Sequence, residues 1–305
     1  MCAHKPLLVA FFVTVLRSSA ILLVSGPAFA DTSGTLNVST DTVLYENHNG
    51  DVVIAADGVT LDCKGRTING GGLVVGILVN GRTNVTIKNC VVTGFNLGVL
   101  LFEGSNNVLC ANTASRNDFG FAFMFSSANR VFDNTGNQNT FSGFAPGASS
   151  GNVFTRNRAN HNGRNGFEIH VQSNNNTFND NTANGNGVFG IALNTSSNNR
   201  LNRNVANGNA VSGFSLAELS DLNVFQDNQT VNNGFSGIDL RRSSGNMLLD
   251  NTLRNNLIGF YFEASSSNTV RGNNACPNRQ LDAFQDAASV GNVFENNRFC
   301  QTEGL

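Results

Sequence analysis

The chain repeats itself at a step of about 23 residues, and that step decides what it can fold into. A hexapeptide N-x-Φ-x-x-N, with Φ apolar, recurs ten times. It runs from NVTIKN at Asn84 through NVFTRN at Asn152 and NVFQDN at Asn223 to NVFENN at Asn292, in steps of 22 to 24 residues. Only the first copy breaks the pattern, with Thr86 at the apolar place. Between hexapeptides sits a glycine-led unit, starting at Gly76, Gly98, Gly120, Gly143, Gly166, Gly190, Gly213, Gly237 and Gly259, with Ala283 in the tenth place. The first and third residues after the glycine are almost always apolar, as in Phe121/Phe123, Phe167/Ile169 and Ile238/Leu240. Such alternation over a short run is a strand with one buried face. A third short stretch carries Ala114, Ala159, Ala183, Ala206 or Leu253, then an asparagine three places on.

Strands this short cannot pair within one coil, so their backbone is satisfied only by the coils above and below. The expected fold is therefore all-β: a single-stranded parallel β-helix of three strands per coil, about 23 residues per coil and ten or eleven coils. Right-handedness follows from the general rule for parallel crossovers. Asparagine suits the corners because it tolerates left-handed backbone and its amides can ladder from coil to coil. Inward Phe154, Phe178, Phe225 and Phe294 are expected to stack at the coil spacing of about 4.8 Å.

Residues 1–30 read as a secretory leader: Lys5, an apolar stretch interrupted by Arg17, and Ala28-Phe29-Ala30, with cleavage after Ala30. No second stretch of spanning length follows, so the mature chain is expected to be secreted or periplasmic and off the membrane. Residues 31–57 precede the regular repeat and are expected to cap the exposed strand edges, with residues 58–305 forming the β-helix domain. Cys276 and Cys300 each lie three residues after the closing asparagine of a hexapeptide, on adjacent coils, which is disulfide geometry in an oxidising compartment. Cys63 and Cys90 are one coil apart but offset by one place, leaving a bridge open; Cys110 is then odd and reads as a small structural thiol.

Residues 41–68, containing GDVVIAADGVTLDCKGRTI, the N-x-Φ-x-x-N coils and the cysteine-bearing end resemble the right-handed β-helix proteins of the pectate-lyase-like class. Within that class the repeat is similar to that of the periplasmic accessory protein of nitrous oxide reductase maturation. The resemblance implies the fold and an exported life among polysaccharide lyases, hydrolases, epimerases and adhesins. It does not select one activity. The three close aspartates of the pectin hydrolases and the Asp-Pro-His-Asp motif of the alginate epimerases are both missing. Copper, implied by the accessory family, finds His48, His161, His170, Met124 and Met247 scattered and not at ligand spacing.

The second and fourth places after each glycine face outward and stack into one readable sheet face. Early coils put Leu100/Phe102 and Ala122/Met124 there; later ones put Glu168/His170, Ala192/Asn194, Ser215/Ala217, Asp239/Arg241 and Tyr261/Glu263. A polysaccharide groove on this face would use His170, Asp239, Arg241 and Tyr261 as catalytic acids and bases. Glu168, Asn194, Arg242 and Glu263 would bind the sugar. An enzyme of this kind would act on an acidic glycan by elimination, hydrolysis or epimerisation; the alternative is a non-catalytic surface, scaffold or adhesion protein. No cofactor and no resident metal are expected, a calcium ion being compatible with the face but not called for. The fifth hexapeptide place, Asp133, Arg156, Asp180, Arg203, Asp227 and Asp250, alternates in charge as structural pairs do. Charged residues are 13% of the chain and 17 basic groups face 21 acidic ones after residue 30, where Lys5 and Arg17 are set aside. A nucleic-acid partner is thereby excluded.

Overall fold

The computed structural model describes residues 31–305, so the expected leader lies outside the described residues. The described residues form a right-handed parallel β-helix of about 11 coils, with no helical segment. Every strand pairs in parallel with its equivalent one coil away; Val153–Thr155, for example, lies between Arg130–Phe132 and Thr177–Asn179. Glycine-led strands such as Phe167–His170 and Ser236–Arg241 make the first sheet, and the hexapeptides make the second. The third face is thinner than expected. Thr135, Arg158, Thr182 and Val205 join it by single bridges, whereas Thr113–Ala114 on Val91–Val92 and Gln229–Val231 on Thr252–Arg254 pair as short strands.

Asparagine explains why so little strand suffices. The residue before the closing asparagine of a hexapeptide turns left-handed, with φ of 53–57° at Asp133, Arg156, Asp180 and Arg203. The next N–H then points away from any backbone carbonyl. It is met instead by the side chain of the coil above: the Asn157 N–H donates to Asn181 Oδ1 at 2.8 Å, and Asn157 Nδ2 donates to the same oxygen at 3.0 Å and to the Val131 carbonyl at 2.9 Å. The same arrangement runs up three buried columns, exemplified by Asn129–Asn152, Asn134–Asn157 and Asn139–Asn162. A serine column from Ser126 to Ser289 does the same after each glycine-led strand. The leading glycines lie against these columns: a Cβ on Gly166 would meet the Gly190 carbonyl oxygen at 2.6 Å and the Ala159 carbonyl oxygen at 2.8 Å.

Register departs from the sequence pattern at both ends. In the first hexapeptide Ile87, not Thr86, pairs with Leu109 and faces the core, so the copy slips by one residue. At the far end Ala283 pairs with Phe260 and is buried, while Phe284 pairs with outward Tyr261. Residues 31–57 contain strands stacked in the same register, Leu36 on Val52 on Ile77, so they extend the stack. Aromatic stacking is also redistributed. Phe154 and Phe178 stack at 4.8 Å, but Phe225 sits between Leu201 and Leu248, and Phe294 follows Val270. The longer ring stack is Phe121–Phe144–Phe167, at 4.7 and 4.8 Å on the glycine-led strand.

Cys276 and Cys300 form the expected disulfide, and Cys63 and Cys90 bridge despite their offset, with Cα atoms 4.7 Å apart. Cys110, expected to be a lone thiol from a count of cysteines after residue 30, is buried in the second sheet and is not free. The alternating charges at the hexapeptide corners pair as expected: Arg156 Nε meets Asp133 at 2.8 Å and Arg203 Nε meets Asp180 at 2.7 Å.

Asn181→Ala removes the acceptor of two buried donors on Asn157, and an unmet buried donor costs about 1–3 kcal/mol. Asn184→Ala deletes a half-buried acceptor whose donor, the Asn207 N–H, water can reach, and is expected to cost under about 1 kcal/mol. Denaturant unfolding of the two variants is the comparison, and equal losses would deny the buried column its special weight.

Candidate functional site

The outward face of the first sheet is a groove whose floor follows the size of two side chains per coil. Glu168 and His170 pair in register with Ala192 and Asn194 of strand Phe189–Asn194, which in turn pair directly with Ser215 and Ala217. Large residues thus stand on one coil and small ones on the next two. The result is an open cleft of about 630 Å³ between Arg164, Glu168 and His170 on one side and Ser215 and Ala217 on the other, with Asn194 in its floor. Two corners border it. The turn after His170 holds two left-handed residues, Val171 and Gln172, and the turn after Ala217 holds Glu218 and Leu219, whereas Thr195 between them turns alone. Those extra residues raise the rim on either side of Thr195.

Within this cleft Glu168 is engaged from both sides. Ser142 Oγ donates to it at 2.6 Å and Arg164 lies 3.7 Å away. The His170 ring lies over Gly147, where a Cβ would come within 3.0 Å of it, and so remains turned toward the groove.

Three coils beyond Glu168 and His170, Asp239 and Arg241 form a second group with Tyr261 and Glu263 of the next coil. Arg241 Nε bonds Asp239 at 3.1 Å, its Nη1 bonds Glu263 at 2.9 Å, and the Tyr261 hydroxyl donates to Glu263 at 3.4 Å. The guanidinium carbon lies 5.0 Å from the centroid of Tyr261 and 5.8 Å from that of Phe235. Asp239 points outward from the sheet yet is only 1% exposed, beneath this cover. Burial pushes its carboxyl up to about 6, against the pull of Arg241 and with a further push from Glu263. Burial also raises the Tyr261 hydroxyl, with Glu263 adding to it.

The residues expected to act together therefore divide. His170 and Arg241 stand in one column with Asn194 and Ala217 between them, three coil steps or roughly 14 Å apart. His170 and Glu168 share the cleft with Asn194; Asp239, Arg241, Tyr261 and Glu263 make the other group. Arg242 belongs to neither, since it sits at the left-handed corner and pairs with Glu218. Three contributors went unnoticed in the sequence. Arg164 and Phe235 stand in one wall column with Phe141, Val188 and Val211, each bonded through backbone to the next, just before the glycine-led strands. Phe284 stacks on Tyr261 at 5.1 Å, a contact hidden by the one-residue slip at Ala283. The signal for the wall was an apolar or charged residue two places before each of these glycines.

Among the described residues, Cys276, Asp282 and Cys300 lie close enough to share an ion. Both sulfurs are in the disulfide, and Asp282 accepts the N–H groups of Asn278, Cys300 and Gln301. That carboxylate closes the third asparagine column.

Residues 50–206 match the family model described as the right handed beta helix region, and residues 168–303 match that of the periplasmic copper-binding protein NosD. No curated protein sequence matches the chain. Among solved structures, a mutant of the periplasmic alginate epimerase AlgG is 15% identical with a TM-score of 0.70, over 87% of this chain and 77% of that one. The A-module of the Azotobacter vinelandii mannuronan C-5 epimerase AlgE4 is 14% identical with a TM-score of 0.67, over 90% and 87%. The catalytic domain of a GH87 α-1,3-glucanase is 14% identical with a TM-score of 0.59, over 88% and 64%. At these identities the likeness is one of fold.

Because the folded-state value of Asp239 lies above its ordinary one, folding takes up a proton between about pH 4 and 6. Stability from this group is full below that window and is lost as pH rises through about 6, a change of roughly 3 kcal/mol for two units. Asp239→Asn is expected to flatten this segment of the stability profile. Urea midpoints at half-unit steps from pH 4 to 7 test it, and an unchanged profile would assign the titration elsewhere.

Proposed function

The chain belongs to the right-handed β-helix family, whose stacked coils present long open faces, and from that premise we propose that it binds an extracellular polysaccharide along this groove. The observation that carries the reading is the 630 Å³ cleft, open along the helix axis and edged by His170, Asn194 and Arg164, where a linear chain can lie across successive coils. The structural neighbours named as alginate epimerases and a glucanase support a carbohydrate ligand through their fold. Two disulfides support a location outside the cytoplasm, as does the leader-like start of the sequence.

The ligand in this reading is a neutral glycan. Each arginine at the groove already faces a carboxylate: Arg164 faces Glu168, Arg241 is shared by Asp239 and Glu263, and Arg242 is held by Glu218. Above pH 6 the Asp239–Arg241–Glu263 group carries a net negative charge, which repels a polyanion. The same pairing favours recognition over turnover. Glycoside hydrolysis uses two carboxyl groups flanking one bond. Here Glu168 is bonded in its cleft and Asp239 is buried under Arg241. His170 is left as the group that meets the ligand, with Asn194 beside it.

A panel of neutral and acidic polysaccharides, scored for binding and for new reducing or unsaturated ends, tests this reading on residues 31–305. A neutral glycan should be retained without product. His170→Ala and Asn194→Ala should each weaken it about tenfold, the worth of one hydrogen bond, while leaving the melting temperature in place. Preference for a polyanion, or undiminished binding by both variants, would reject the reading; silence across the panel would favour the scaffold alternative.

A further inference from the structure

Past the Glu168/His170 coil the floor drops again, on the side away from the polar cleft. Ala122 pairs with Ala145 and Met124 with Gly147, so Ala122, Ala145 and Gly147 make a low floor beside Met124, and a second cleft of about 270 Å³ opens above them. Its character is opposite to that of the first. Phe119, Met124, Phe125 and Ala145 surround it, and His170 is the one side chain in its lining that forms ordinary hydrogen bonds.

The two clefts adjoin on either side of the Glu168/His170 coil. His170 and Val171 line both. Large apolar side chains at the junction stay in water: Met124 is 40% exposed, Phe125 63% and Val171 57%. Val171 is moreover a β-branched residue held left-handed at φ 54°, a costly conformation that persists only where surrounding structure imposes it. A soluble protein has no folding reason to keep such a group exposed beside a polar cleft.

We propose that the glycan of the polar cleft carries an acyl or alkyl substituent, and that this substituent fills the apolar cleft with His170 hydrogen-bonded to the oxygen linking it to the sugar. This rests on the polysaccharide reading and narrows it to an amphiphilic, substituted saccharide. The order along the axis is apolar substituent, His170, sugar in the cleft above Asn194, then Arg241 and its aromatic neighbours. Apolar burial supplies affinity and the polar cleft supplies orientation, the usual division of labour in a ligand site.

Matched pairs of glycosides separate this from the parent reading. Octyl and methyl β-glycosides of glucose, galactose, mannose and glucuronic acid, each below its micelle concentration, are titrated calorimetrically into residues 31–305. In at least one pair the octyl form should bind about tenfold or more tighter, since burying two methylenes suffices for that factor. Its heat capacity change should be more negative. Ala145→Leu, which fills the apolar floor with a side chain already pointing outward, should erase the octyl advantage and leave the methyl glycoside unaffected. Because Ala145→Leu adds bulk near Gly147, Met124→Ser is the second variant, reducing the octyl advantage without adding volume. Equal binding of octyl and methyl forms, or an octyl advantage that survives both variants, overturns the substituent and leaves the glycan reading in place. No binding in any pair overturns both.

Discussion

A chain that turns three times per coil must find an acceptor for every N–H that leaves the sheet, and the asparagine amide of the next coil is that acceptor. In the full rung one oxygen receives two donors and one nitrogen reaches a carbonyl of the coil below, as Asn181 does for Asn157. The amide thereby fixes where each coil sits on its neighbour. Small leading glycines and inward alanines let the coils close around the columns, and phenylalanine fills the remaining space. Hydrophobic burial holds such a rod together, but the ladders set its register.

Once register is set, the outward face has little freedom, and its relief is simply the list of residues at two places per coil. Glu168/His170 and Asp239/Arg241 rise; Ala122, Ala145/Gly147, Ala192/Asn194 and Ser215/Ala217 form the lower ground. One-residue insertions at the corners after His170 and Ala217 leave the sheet untouched because they fall outside it, and they shape the rim instead. A scaffold this regular can change its ligand by substitution at the floor without touching a hydrogen-bonded column.

Charge is managed locally along the same face. Arg241 lies over Tyr261 and Phe235 and is shared by two carboxylates, so it stabilises a compact ridge and offers little positive potential to solvent. The cost of burying Asp239 appears as its raised proton affinity, which ties the ridge to pH near 6. His170, with Gly147 beneath its ring, stays open to the groove.

The period, the three faces, the inward columns, the asparagine ladders and the Cys276–Cys300 bridge were all legible in the sequence, because each is a local pattern copied about every 23 residues. The outward residues of the candidate face were legible for the same reason. What stacking alone decided is which of them meet. The one-residue slip at Ala283 puts Phe284 on Tyr261, and two intervening coils of small residues separate His170 from the Asp239 group. Wall residues Arg164 and Phe235 came from outside the alternating pattern, and the carboxylate partners of all three groove arginines depend on side-chain paths between coils. A repeat specifies where each side chain points, since direction is a property of one strand; proximity is a property of neighbouring coils, and only their stacking settles it.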